Sequence, residues 1–318
     1  MRITVTGASG FIGHHLARYL RAHGHWVRGI DMAEPLYEPT GCDEFWVRDL
    51  RVPMNARHSL ADVDRVYHLA ADMGGIGYIT NSNEEAHIML NNTLINVNML
   101  NAALISGIDR LLFTSSVCVY PVDKLTSPLP DLLIEADAVP ANPQESYGWE
   151  KLHAEHLFTY ARRLGLDTRI VRLENTYGPQ GAWRGGKEKA PAALCRKVAE
   201  AKLTGKDHIE IWGDGQQRRT LMYVDDCVRG LEAVMESDYL PPVNLGPDES
   251  VSVDELAAEI CHAARVELDF VYVDGPQGVR GRNFSHERAR ALGWQAGVPL
   301  EMGIESTYRW VEEQVKGL

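Results

Sequence analysis

The chain is short of the features that assign whole classes of protein at a glance. Cysteine is scarce: five residues, Cys42, Cys118, Cys195, Cys227 and Cys261, an odd set with no C-x-x-C pair. That excludes a disulfide framework and the common zinc patterns, and it reads as reduced thiols in a cytoplasmic setting. Positive charge is in deficit, with 32 Lys and Arg against 44 Asp and Glu and a formal net charge of −12. No basic stripe appears, which argues against nucleic acid as a partner. No uninterrupted apolar run reaches the ~18–20 residues of a bilayer span, so no membrane role is expected. The first residues run directly into a strand pattern, which leaves no room for a signal peptide. Repeats, low-complexity tracts and an obvious linker are also missing. What remains is a chain of 318 residues, long enough for one large or two modest domains with a real core.

The pattern is one of strands alternating with helices. Residues 2–6, 26–31, 45–47, 65–69, 110–114 and 168–173 read as strands, and 84–106 and 145–164 as long helices. Such alternation predicts an α/β fold, a Rossmann-type doubly wound parallel sheet. It fails after residue 174, where a smaller α/β substrate-binding lobe is expected. The predicted division is interleaved: residues 1–173 plus about 220–245 for the dinucleotide domain, about 174–219 plus 246–318 for the second lobe.

The first turn reads Gly7-x-x-Gly10-Phe11-Ile12-Gly13, between the first strand and the first helix. Glycines there permit a tight turn and close approach of a pyrophosphate to a helix N-terminus. Asp31 closes the second strand, where a carboxylate accepts ribose hydroxyls and repels a 2′-phosphate, so NAD is the expected cofactor. Asp49-Leu50 follows the third strand, placed to reach adenine. Leu69-Ala70-Ala71 follows the fourth and would line the groove with small residues.

Tyr147 and Lys151 stand four residues apart on one helical face, and Ser116 ends the strand before them. An ammonium beside a phenol favours the phenolate and is expected to lower the Tyr147 pKa. Tyr147 would then take an alcohol proton during oxidation by NAD, with Ser116 bonded to the same oxygen. Cys118 is not needed for that reaction. Lys189, in Gly185-Gly186-Lys187-Glu188-Lys189-Ala190-Pro191, opens a helix of the smaller lobe, and Lys187 beside it reads as a solvated surface residue. With Lys189 directed inward, Cys118 and Lys189 form a base–acid pair. Oxidising a sugar alcohol to a ketone makes the flanking carbon hydrogens acidic. A thiolate on one face and an ammonium on the other can then invert a carbon.

These residues resemble the GDP-mannose 3,5-epimerase family of extended short-chain dehydrogenases/reductases. The likeness runs nearly end to end. It is most specific in Met73-Gly74-Gly75, Ser116-Val117-Cys118 and Glu188-Lys189-Ala190-Pro191-Ala192-Ala193; Trp212-Gly213-Asp214-Gly215 and Tyr-x-x-x-Lys are shared more widely. The resemblance implies GDP-mannose as the small-molecule substrate, oxidation at C4, inversion at C5 and C3, and re-reduction by the same tightly bound NAD. It also implies that Met73, Gly74 and Gly75 shape the sugar pocket and that Asn175 and Lys189 reach the substrate. Arg219 and Arg280 would grip the diphosphate, and Arg282 is a further candidate among the substrate-binding residues. No metal is implied. A homodimer through the two long helices is. Ser285-His286 departs from the family, whose members mostly carry an acidic residue there. A UDP-hexose 4-epimerase, a nucleotide-heptose epimerase and a non-catalytic NAD-binding sensor stay open as alternatives. The 4-epimerase needs no base at Cys118, and the sensor predicts a broken Tyr-x-x-x-Lys.

Overall fold

The computed structural model describes residues 1–276 and 278–318. Seven parallel strands form the main sheet: β1 (Arg2–Thr6), β2 (Trp26–Asp31), β3 (Glu44–Val47), β4 (Arg65–His68), β5 (Arg110–Ser116), β6 (Thr168–Leu173) and β10 (Val243–Leu245). Their order is β10-β6-β5-β4-β1-β2-β3. Strand β1 is buried from Ile3 to Thr6, so both faces are covered, as parallel sheets require. One face carries α1 (Phe11–Ala22) and α7 (Val224–Glu236). The other carries α2 (Pro53–Ser59), α4 (Ser82–Ser106) and α5 (Glu145–Ala161), with the one-turn α3 (Ile76–Ile79) just before α4. Successive strands leave β1 in opposite directions, which opens a crevice at the carboxyl ends of the strands.

The second lobe joins β7 (Asn175–Tyr177), β9 (Arg218–Tyr223) and β11 (Ser250–Ser252) in a small sheet, with β8 (His208–Trp212) and β12 (Asp269–Val273) as a separate pair. Helices α6 (Ala190–Thr204), α8 (Val253–Ala264) and α10 (Leu300–Lys316) enclose its core. The chain passes between the two sheets more than once. Residues 220–223 belong to the small sheet, because β9 pairs with β7 and β11. The short α9 (Glu287–Ala291) and Trp294 pack into the core of the large lobe. There the Trp294 indole donates to the Asp226 carbonyl at 3.1 Å, and the Asp226 carboxylate accepts from the Gly297 and Val298 backbones.

Helix α4 has 25 residues, and its apolar residues are broken up by asparagines. Its length and composition suffice to cross a membrane, with a mean hydropathy of 1.2 over the best window. Asparagines hide this in the sequence by interrupting each apolar run. Two of them, Asn92 and Asn96, face inward and donate to the fully buried Glu150 carboxylate at 3.2 and 2.5 Å. Asn96 also meets His68, whose other ring nitrogen meets Thr6 at 2.8 Å. Burial and the nearby Lys151 charge push His68 down to about 3, so it is neutral.

Helix α5 is tied to the sheet by a buried ion pair. Arg172 on β6 makes two bonds to Glu155, at 2.9 and 2.8 Å, and donates to the Glu135 carbonyl. Ser115, opposite Arg172 in register, donates to the same carboxylate at 2.5 Å. Removing one partner of such a pair leaves a buried charge uncompensated, at a cost of about 3–5 kcal/mol. Glu155→Ala is therefore expected to lose that much unfolding free energy in urea denaturation. Unchanged stability would show that the pair does not fix α5.

Candidate active site

The turn after β1 is shaped by what glycine lacks. Gly7 has φ +73°, and a Cβ on Gly13 would lie 2.0 Å from the Gly7 carbonyl oxygen. The first turn of α1, with Gly10 at its cap and Phe11 and Ile12 half-buried, therefore closes directly on the strand end. Asp31 sits across this turn: Ser9 N–H donates to one carboxylate oxygen at 3.0 Å and Met32 N–H to the other at 2.7 Å. The Asp49 carboxylate is occupied by Arg51, which also reaches Asn91, and Leu50 is buried beneath. Leu69 and Ala70 donate their N–H groups to Thr6, and Ala71 continues the same wall. A left-handed glycine, a helix N-terminus and a carboxylate at the end of β2 fit a dinucleotide with a free 2′-hydroxyl.

Ser116, Tyr147 and Lys151 meet at the end of β5. Ser116 is close enough to Tyr147 to lower its pKa, and its hydroxyl accepts from the Cys118 N–H at 3.2 Å. Lys151 lies beneath, donating to the Thr114 carbonyl at 3.2 Å, with its ammonium 5.7 Å from the centre of the Tyr147 ring. Electrostatically the pair differs from expectation. Burial pushes Tyr147 up, Cys118 and Glu150 add to this, and Ser116 and Arg282 pull the other way. Lys151 is itself pushed down by burial, while Glu150 and Glu155 raise it. In the protein alone the phenol is kept protonated.

Cys118 occupies a single helical turn, Val117–Val119, directly after β5. Arg282 donates to its sulfur at 3.5 Å, and the Arg282 Nε is buried without a hydrogen-bond partner. Arg282 thus lies against the thiol, 164 residues away in sequence. Lys189 caps the N-terminus of α6, with Pro191 in the first turn. Burial lowers its pKa, Cys118 raises it and Arg282 lowers it. The thiol, the guanidinium and the amine thus share one pocket, assembled from both lobes. Gly148 makes this possible on the α5 side, since a Cβ there would lie 2.3 Å from the Cys118 carbonyl oxygen.

The apolar wall of the pocket combines Ile79, Ile88 and Tyr147 with Met73, Ile76, Tyr78 and Cys118. Gly74 packs under the Tyr78 ring, and Gly75 abuts Glu188 of the facing lobe. Asn175, at the start of β7, donates to the Thr220 carbonyl at 3.5 Å. Arg219 is driven down to about 9 by burial and by the charges of Arg282 and Arg280. Positive charge gathered around the half-buried Arg219 favours an anion. Arg280 is also bonded to Asp214 at 2.9 and 3.0 Å. His286 sits between Glu174 and Asp248, which hold it toward its charged form against burial.

Two groups of this pocket escaped sequence reasoning. Glu145 has φ +52°, a buried Oε2 with no partner, and a carboxyl pushed up to about 7 by burial. Its only local signal is that it stands two residues before Tyr147. Glu150, next to Lys151, had a signal in the buried asparagines of α4, but an i, i+4 pattern does not reveal it.

Comparison with known proteins gives the same picture. Residues 3–246 match the NAD dependent epimerase/dehydratase family. The chain is 43% identical to GDP-mannose 3,5-epimerase of Arabidopsis thaliana, over 99% of this chain and 83% of that one. It is 44% identical to GDP-mannose 3,5-epimerase 1 of Oryza sativa subsp. japonica, with the same coverage. In fold it superposes on UDP-glucose 4-epimerase of Thermotoga maritima with a TM-score of 0.85, at 24% identity, covering 99% of this chain and 100% of that one.

The close approach at Gly148 is open to a direct test. Gly148→Ala should separate α5 from the Cys118 turn and slow turnover by about 10²-fold, the scale of a 1 Å misplacement. Nicotinamide content of the purified protein should be unchanged. Wild-type turnover would show that the contact is not part of the site.

Proposed function

The chain belongs to the GDP-mannose 3,5-epimerase family, within the NAD dependent epimerase/dehydratases, and on that premise we propose that it converts GDP-mannose to GDP-L-galactose, with GDP-L-gulose when C5 alone is inverted. Family membership makes it an NAD-dependent isomerase with no net redox change. The observation that carries the specific reading is the Cys118–Arg282 contact of 3.5 Å, with Lys189 in electrostatic reach, beside Ser116 and Tyr147.

Bound NAD supplies the reversible oxidant for C4. Gly7, Gly10, Gly13 and Asp31 would hold its pyrophosphate and ribose, and Asp49 and Ala70 its adenine end and groove wall. Tyr147 takes the C4 hydroxyl proton, with Ser116 bonded to the same oxygen and the Lys151 charge below. Once C4 is a ketone, the Cys118 thiolate removes the proton from a neighbouring carbon and becomes a thiol. The negative charge passes to the enolate oxygen, which Tyr147 and Ser116 face. Lys189 returns a proton to the opposite face and becomes an amine; its lowered pKa makes that transfer easier. Tyr147 finally gives its proton back as C4 is reduced. Arg219 and Arg280 would bind the diphosphate, where the charges of Arg219, Arg280 and Arg282 are already gathered.

A UDP-sugar 4-epimerase has the same fold but no use for Cys118 or Lys189. Incubation of GDP-mannose in D₂O is expected to place deuterium at C5, and at C3 as a second product forms, with none at C4. Cys118→Ser should abolish this exchange while NAD stays bound. The absence of label at both carbons would remove the epimerase proposal, and unaltered exchange in the variant would remove Cys118 from it.

We further propose a cytoplasmic homodimer. All five cysteines are free thiols, in keeping with a reducing compartment. On α4, Leu90, Leu94 and Val97 are exposed at helical spacing, and Trp149 and Tyr160 on α5 are exposed as well. Such a patch suits a second copy of the same two helices. Leu94→Glu should halve the mass seen by light scattering. A wild-type protein of monomer mass would contradict the dimer.

A further inference from the structure

We propose that Lys187 and Asp72 are a positioning pair that docks the Lys189 segment onto the large lobe and so governs carbon inversion without taking part in C4 oxidation. This rests on the functional proposal above. Cys118 and Lys189 come from different lobes, so their separation is set by whatever ties the lobes together at the pocket. The segment before α6 has little internal constraint: Gly185 and Gly186 both have left-handed backbones, with open space around them. Its contacts with the large lobe are specific. Gly75 N–H donates to the Lys187 carbonyl at 3.0 Å. A Cβ on Gly75 would lie 2.3 Å from the Glu188 carbonyl oxygen, so no other residue allows this approach without a shift. The Lys187 ammonium pairs with Asp72 at 3.4 Å and lies 4.1 Å from the centre of the Tyr78 ring, while the Tyr78 hydroxyl donates to the same Asp72 oxygen at 2.9 Å.

Asp72 is held in turn from the catalytic side. Its second carboxylate oxygen accepts from Asn91 at 2.9 Å. Its backbone N–H and carbonyl are both bound by the Asn92 amide, at 2.6 and 3.1 Å. The same amide reaches Glu150, the neighbour of Lys151. A chain of contacts therefore runs from the helix carrying Tyr147 and Lys151, through Asn92 and Asp72, to Lys187 and the backbone two residues from Lys189. Lys187 has a half-exposed side chain, so the ion pair adds little to fold stability. Its effect is on the placement of the acid, where a 1 Å error can cost ~10²-fold in rate.

The test separates two steps in one protein. In Lys187→Met, reduction of bound NAD on mixing with GDP-mannose, followed by nicotinamide absorbance, should keep its rate within about twofold. Inversion at C5, followed as epimer product, should slow by about tenfold or more. Lys187→Arg, which keeps the charge and can still lie over Tyr78, should restore most of the inversion rate. Equal slowing of both steps, or of neither, would overturn the positioning role. A wild type that reduces its NAD but forms no epimer would instead sink the functional proposal, and this one with it.

Discussion

A thiol held 3.5 Å from a guanidinium, with the Lys189 amine in electrostatic reach of both, is the arrangement on which the rest of this site depends. It brings together three half-buried groups from both lobes. Burial works against charge on Lys189, while Cys118 favours it. An amine balanced in this way gives up its proton more readily than a surface lysine. The pocket spans two lobes, so the quality of the base–acid pair is a property of how the lobes dock, which neither lobe specifies alone.

The alcohol-handling half is built differently. Its groups come from neighbouring elements of one sheet, β5 and α5, and are fixed by the Glu155–Arg172 pair and by the contact at Gly148. Beneath them Glu150, Asn92, Asn96, His68 and Thr6 form a buried polar chain that reaches the wall of the cofactor groove. Such a network is expensive unless every member is bonded, and here it ties the catalytic helix to the cofactor side. The two halves need different things. Oxidation and re-reduction need a rigid, local constellation around one carbon, whereas inversion needs an acid delivered from outside it.

Much of this was legible in the residues, for identifiable reasons. The Gly7–Gly13 turn, Asp31, Ser116 and the Tyr147/Lys151 spacing are local patterns, and local patterns survive in sequence. Strand alternation revealed the main sheet, because short, largely apolar strands separated by helical patterns mark a parallel sheet covered on both faces. The contacts that escaped are distant ones. Arg282 meets Cys118 across 164 residues, and Lys187 meets Asp72 across 115; periodicity carries no information about either. Lys187 read as a solvated residue because half of it is solvated. In residues 287–296 a helix of five residues and one tryptophan carry no mark in the sequence of which core they join. The apolar character of α4 was masked by asparagines whose role appears only with Glu150 opposite them.

The central claim is that Cys118 and Lys189 act on opposite faces of one carbon. The most direct measurement is the fate of GDP-mannose in D₂O with Lys189→Met. Cys118 would still remove the C5 proton, exchange it with solvent and return deuterium to the same face. The account predicts recovered GDP-mannose labelled at C5 with its configuration retained, and little or no epimer. Labelled epimer formed at the wild-type rate would contradict it, because another group would then be supplying the second face.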